Sequence, residues 1–121
     1  MKILLVDDSR TMRSIQKTVL GQLGHVDVSE AVDGVDALAK VKDVLPDLLM
    51  VDYNMPNMDG LAFVRAFRAT DKTTPILMVT TEAEKARVIE AIKAGVNGYV
   101  VKPFTAEILA QRIQEITKAA A

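Results

Sequence analysis

Four short apolar runs, each stopping at a polar residue with chemistry to offer, constrain this chain most. Ile3-Leu4-Leu5-Val6 stops at Asp7 and Asp8, and Leu48-Leu49-Met50-Val51 at Asp52. Ile76-Leu77-Met78-Val79 stops at Thr80, and Tyr99-Val100-Val101 at Lys102 and Pro103. Runs with almost no polar interruption belong to strands covered on both faces. With one further candidate, strands are expected near 2–6, 26–30, 48–52, 75–80 and 98–102.

Helical spacing fills the intervals. Met12, Ile15, Val19 and Leu23 form one apolar stripe, and Leu38, Val41 and Leu45 a second. Leu61, Val64 and Phe67 form a third. Ala86, Ile89 and Ile92, flanked by Val88, form a fourth, and Leu109, Ile113 and Ile116 a fifth. Asp33 is placed to cap the second helix. Gly24, Gly95 and Gly98 stand where helices are expected to stop. Pro46 and Pro75 break the chain before strands. The closing segment 118–121 reads as a helix end or an appended tail.

Five consecutive βα units imply an α/β fold, a doubly wound parallel sheet with helices on both faces. The flavodoxin-like (βα)5 order 2-1-3-4-5 is the natural arrangement. It sets the first and third strands side by side, so Asp7, Asp8 and Asp52 meet at the carboxyl edge, where such sheets bind ligands.

Composition narrows the chemistry. The 121 residues point to one domain, 1–121, with apolar content of 50% and charged content of 26%, ordinary for a globular protein. Net charge is −1, which gives no reason to expect nucleic acid. There is no cysteine, so thiol catalysis and Cys-ligated metals are excluded. No run approaches the ~20 apolar residues of a membrane span. No secretory leader is evident, and the cytoplasm is the expected location.

Adjacent carboxylates repel one another, and a hard cation relieves the repulsion. Mg²⁺ prefers oxygen ligands and joins carboxylates to phosphate oxygens. Asp8 and Asp52 are the leading ligand candidates, with Asp7 acting through a water and a backbone carbonyl beyond Asp52 completing the set. Asp52 is also the leading nucleophile, since carboxylates form aspartyl phosphates. Lys102 offers a cation and Thr80 a hydroxyl to phosphoryl oxygens. A cis bond at Lys102-Pro103 would turn Lys102 back over the site.

These residues carry a resemblance. Leu5-Val6-Asp7-Asp8-Ser9, Val51-Asp52-Tyr53-Asn54-Met55-Pro56-Asn57-Met58-Asp59-Gly60 and Gly98-Tyr99-Val100-Val101-Lys102-Pro103-Phe104 resemble the receiver domains of two-component response regulators, most of all the stand-alone chemotaxis type. The resemblance implies that Asp52 accepts a phosphoryl group from a histidine kinase. It implies Mg²⁺ on Asp8, Asp52 and the backbone carbonyl of Asn54, with Asp7 acting through water. It implies a switch in which Thr80 is drawn inward and Tyr99 follows. It implies that Asn54 and Glu82 occupy positions that help set phosphoryl lifetime.

The output face implied is 83–118, the fourth helix, fifth strand and fifth helix, including Lys85, Arg87, Val88, Lys93 and Tyr99. The expected partners are the kinase, an output protein such as a flagellar motor switch component, and a phosphatase, with no membrane and no nucleic acid; the chain reads as a monomer. The resemblance implies a phosphoacceptor regulator rather than an enzyme. His25 is read as a solvent-exposed loop residue, not a phosphodonor.

A phosphorelay shuttle or a phosphate sink would carry the same residues. A small haloacid-dehalogenase-like phosphatase also uses Asp, Mg²⁺, Thr and Lys, but its nucleophile ends the first strand in an Asp-x-Asp pattern. A flavin carrier would need a phosphate-cradling first loop, where this chain has Asp7-Asp8-Ser9-Arg10.

Overall fold

The computed structural model describes residues 1–120; Ala121 and the side chains of 118–120 lie outside the described residues. Strands β1 (Ile3–Val6), β2 (Val28–Ala31), β3 (Leu48–Val51), β4 (Ile76–Thr80) and β5 (Gly98–Val101) alternate with helices α1 (Arg10–Gln22), α2 (Gly34–Val44), α3 (Gly60–Arg68), α4 (Lys85–Ala94) and α5 (Ala106–Ala120). All strand pairs are parallel, in the order β2-β1-β3-β4-β5. The expected topology is therefore the observed one.

The pleat divides each central strand between two cores. Leu4, Val6, Leu49, Val51, Ile76 and Met78 face α2, α3 and α4, meeting Ala37, Phe63, Val64 and Ala91. Ile3, Leu5, Leu48, Met50, Leu77 and Val79 face α1 and α5, meeting Leu20, Leu109 and Ile113. Burial on both faces is why these strands carry no alternation.

Side-chain caps start four helices, α5 among them, where Thr105 Oγ1 accepts from Ile108 N at 3.1 Å. Ser9 Oγ accepts from Met12 N at 3.2 Å, Asp33 Oδ1 from Asp36 N at 2.8 Å and Asp59 Oδ1 from Ala62 N at 2.8 Å. Gly95 ends α4 in the left-handed region, with φ 117°. Gly98, expected as a stop, instead opens β5.

Four local expectations are corrected. β2 begins at Val28, two residues later than expected, and Val26 is 89% exposed. In α1 the residues pressed on the sheet are Gln16 and Leu20, while Ile15 is 45% exposed. In α4 the buried residue is Ala91, with Val88 half-buried; Ala86, Ile89 and Ile92 face outward. Both helices carry apolar residues on more than one face, and contact with the sheet selects among them. His25 is half-buried rather than exposed.

Candidate functional site

The carboxyl edge of the sheet is built by backbone bonds that continue past the strand ends. Asp7 N donates to Ala31 O at 3.1 Å, Asp52 N to Val6 O at 2.9 Å and Lys102 N to Thr80 O at 2.8 Å. Register is thereby carried one residue beyond each strand, bringing Asp7, Asp52, Thr80 and Lys102 together.

Asp7 is 1% exposed and Asp8 lies open to solvent. Asp7 Oδ1 accepts from Ser9 N at 2.9 Å. Asp7 Oδ2 accepts from Lys102 Nζ at 2.7 Å, and the same ammonium stands 3.4 Å from Asp52 Oδ2. The Lys102-Pro103 peptide is cis. Burial raises the Asp52 carboxyl above the ordinary aspartate range; Thr80 and Lys102 oppose that rise, and the Asp7 charge adds to it. Carboxylate oxygens of Asp7, Asp8 and Asp52 lie within 4.8 Å of one another. An all-oxygen, acidic donor set with only one ammonium between its buried members suits a hard cation.

Thr80 is fully buried beneath this cluster, and its hydroxyl accepts from Glu82 N at 3.2 Å. Ser9 and Thr81, not Thr80, are the hydroxyl-bearing residues lining the cavity. That cavity, about 420 Å³, has an acidic floor at Asp7, Asp8 and Asp52 and apolar walls from Met12, Ile15 and Phe104. Tyr99 is half-buried and turned inward, its hydroxyl donating to Glu82 O at 2.6 Å. Burial, then the charge of Glu82, pushes the Tyr99 phenol up to about 12. Asn54 is an exposed loop residue two positions beyond Asp52.

Residues 3–114 match the response regulator receiver domain family. The chain belongs to that family. This receiver is 51% identical over 118 residues to the chemotaxis protein CheY of Pseudomonas aeruginosa, covering 96% of this chain and 95% of the relative. It is 52% identical over 121 residues to a chemotaxis protein CheY homolog of Campylobacter jejuni, covering 96% and 92%. Among solved structures, CheY4 of Vibrio cholerae superposes with a TM-score of 0.88 at 40% identity, covering 95% of the receiver and 97% of that chain. A Francisella response regulator receiver domain superposes at 0.89 with 28% identity, covering 99% and 98%.

Three neighbours of the receiver's acidic cluster were not singled out from sequence. Arg13 Nη1 donates to Asp7 O at 2.7 Å while its Nε holds Glu30 at 3.0 Å. Gln16, 1% exposed, brings Nε2 to 3.5 Å from Asp7 Oδ2. Tyr53 is buried with its ring 5.9 Å from the Arg87 guanidinium, and its hydroxyl has no partner among the described residues. A glutamine interrupting the apolar face of α1 was the one visible signal for Gln16.

Proposed function

We propose that the receiver is a phosphorylation-activated switch whose phosphoacceptor is Asp52. The observation carrying this reading is the convergence of Asp7, Asp8 and Asp52 within 4.8 Å, with the Lys102 ammonium on two of them. An Asp52 carboxylate oxygen attacks phosphorus of a phosphohistidine on a histidine kinase. The P–N bond breaks, and its electron pair and a proton restore neutral imidazole. Water later attacks the same phosphorus, releasing inorganic phosphate and the Asp52 carboxylate.

Asp8, Asp52 and the backbone carbonyl of Asn54 would hold Mg²⁺, with Asp7 engaged through water. When bound, the ion supplies charge neutralisation for the carboxylates and phosphoryl oxygens. Lys102 pairs with phosphoryl oxygens, and Thr80 donates its hydroxyl to them. Asn54 and Glu82 flank the path of the hydrolytic water.

Tyr99, through Glu82 O, links the β4–α4 loop to β5, so a local charge change biases a two-state element. The α4–β5–α5 face, with exposed Lys85, Arg87, Lys93, Ile89, Ile92, Val101 and Ile108, docks the output protein. Relatives named for chemotaxis support a motor switch component as that protein. A phosphatase is a further partner, the receiver acts as a regulator rather than a turnover enzyme, and the cytoplasm is its place of work. No helix among the described residues is long and apolar enough to cross a membrane.

The test is labelling by acetyl phosphate with Mg²⁺ followed by mass mapping. The expected label sits on Asp52 and vanishes in Asp52→Asn; an undiminished label in that variant would overturn the assignment.

A further inference from the structure

Gln16 is an amide buried on the sheet-facing side of α1, where an apolar residue would pack without a partner to find. Its Nε2 points at Asp7 Oδ2, 3.5 Å away, longer than a well-formed hydrogen bond. The same oxygen is held at 2.7 Å by Lys102 Nζ. Asp7 Oδ1 is engaged by Ser9 N at 2.9 Å, and the Asp7 backbone carbonyl by Arg13 at 2.7 Å. Asp7 is therefore restrained from α1 at its carbonyl and met by α1 at its carboxylate.

Building on the phosphoacceptor reading, we propose that Gln16 is a positioning residue that takes over Asp7 Oδ2 when Lys102 transfers to the phosphoryl group. Lys102 is 6% exposed at its side chain and lies between the two carboxylates. An ammonium drawn onto oxygens carried by Asp52 leaves Asp7. The Asp7 carboxylate, 2% exposed at its side chain, then keeps one oxygen without its strongest donor. Even with Ser9 N on Oδ1 and a metal-bound water beside it, a buried carboxylate that loses its ammonium partner is left short of a donor, which is unfavourable. The Gln16 amide is the donor already aimed at that oxygen, and a few tenths of an ångström of approach gives a full hydrogen bond. The long contact is thus a standby position. The amide contributes most in the phosphorylated arrangement and little in the resting one.

Gln16→Met keeps side-chain volume and removes the donor. Beryllofluoride with Mg²⁺, measured by titration calorimetry, serves as the phosphoryl mimic. The expected result is about tenfold weaker beryllofluoride binding, the loss of one hydrogen bond to a charged group. The metal-free melting temperature should match or exceed the wild type, since the resting contact contributes little. A folded Gln16→Met that binds within about threefold of wild type overturns the proposal.

A second measurement needs no variant. In ¹⁵N–¹H spectra of the wild type, the Gln16 side-chain amide should move downfield on adding beryllofluoride, whereas an unmoved pair would contradict the hand-over. Wild-type protein that binds no beryllofluoride would defeat the phosphoacceptor reading itself. Equal binding by wild type and Gln16→Met defeats only the role of Gln16.

Discussion

Asp52 is held against its own preference. Burial raises its carboxyl above the usual range despite Thr80 and Lys102 beside it. A carboxyl whose native pKa exceeds its unfolded one contributes stability below the unfolded value and loses it as pH climbs through the native one. The ionised form of Asp52 is therefore the one that the metal-free fold disfavours. Asp52→Asn should raise the melting temperature in EDTA by roughly 3–6 °C, the shift that about 1 kcal/mol produces in a chain of this length. Scanning calorimetry of both proteins measures it, and an unchanged or lower value would contradict the electrostatic account.

Tyr99 offers a second titration. Its phenol, pushed up to about 12, should appear as a separate late step when absorbance at the tyrosinate band is followed against pH. The raised value means that the neutral hydroxyl on Glu82 O favours the fold, an advantage lost as pH rises through about 12. Tyr99→Phe should abolish that step; its survival would assign the step elsewhere.

Loops and helix ends impose tighter demands than the apolar stripes do. Gly60 opens α3 close to the end of β3, donating its N–H to Tyr53 O at 2.8 Å. A Cβ there would collide with the carbonyl oxygen of Asp52 and come within 3.0 Å of Tyr53 Cα. Gly60→Ala must push the Asp52 backbone aside. A stability loss of about 3 kcal/mol is expected by urea unfolding, together with slower acetyl phosphate labelling. The end of α2 presents the opposite case. Leu45 occupies the left-handed region at φ 50° and is 70% exposed. Leu45→Gly relieves that conformation and removes an exposed apolar side chain, so a gain of about 0.5–1 kcal/mol is expected in the same assay.

Across the molecule, Lys102 joins what three strands deliver: Asp7 after β1, Asp52 after β3 and itself after β5. Its removal leaves two buried or nearly buried carboxylates facing each other. Lys102→Ala should lose about 3–5 kcal/mol in EDTA and regain part of it with Mg²⁺. Equal stability of the variant and the wild type in EDTA would show that Lys102 does not neutralise the pair.

The parts legible from residues alone share one cause. A strand covered on both faces must be apolar along its length, and a charged group can stand only where the strand leaves the core. The placing of the runs follows from that rule, and the doubly wound order of five βα units then gathers Asp7, Asp8, Asp52, Thr80 and Lys102 at one edge. Packing between elements settled the remainder. Which face of α1 and α4 turned inward, the Arg13 and Gln16 supports of Asp7, and the inward Tyr99 on Glu82 depend on how each helix is rotated against the sheet. Helices with apolar residues on several faces leave that rotation open. Only contact with the two cores closes it, because burial energy depends on the area each face removes from water.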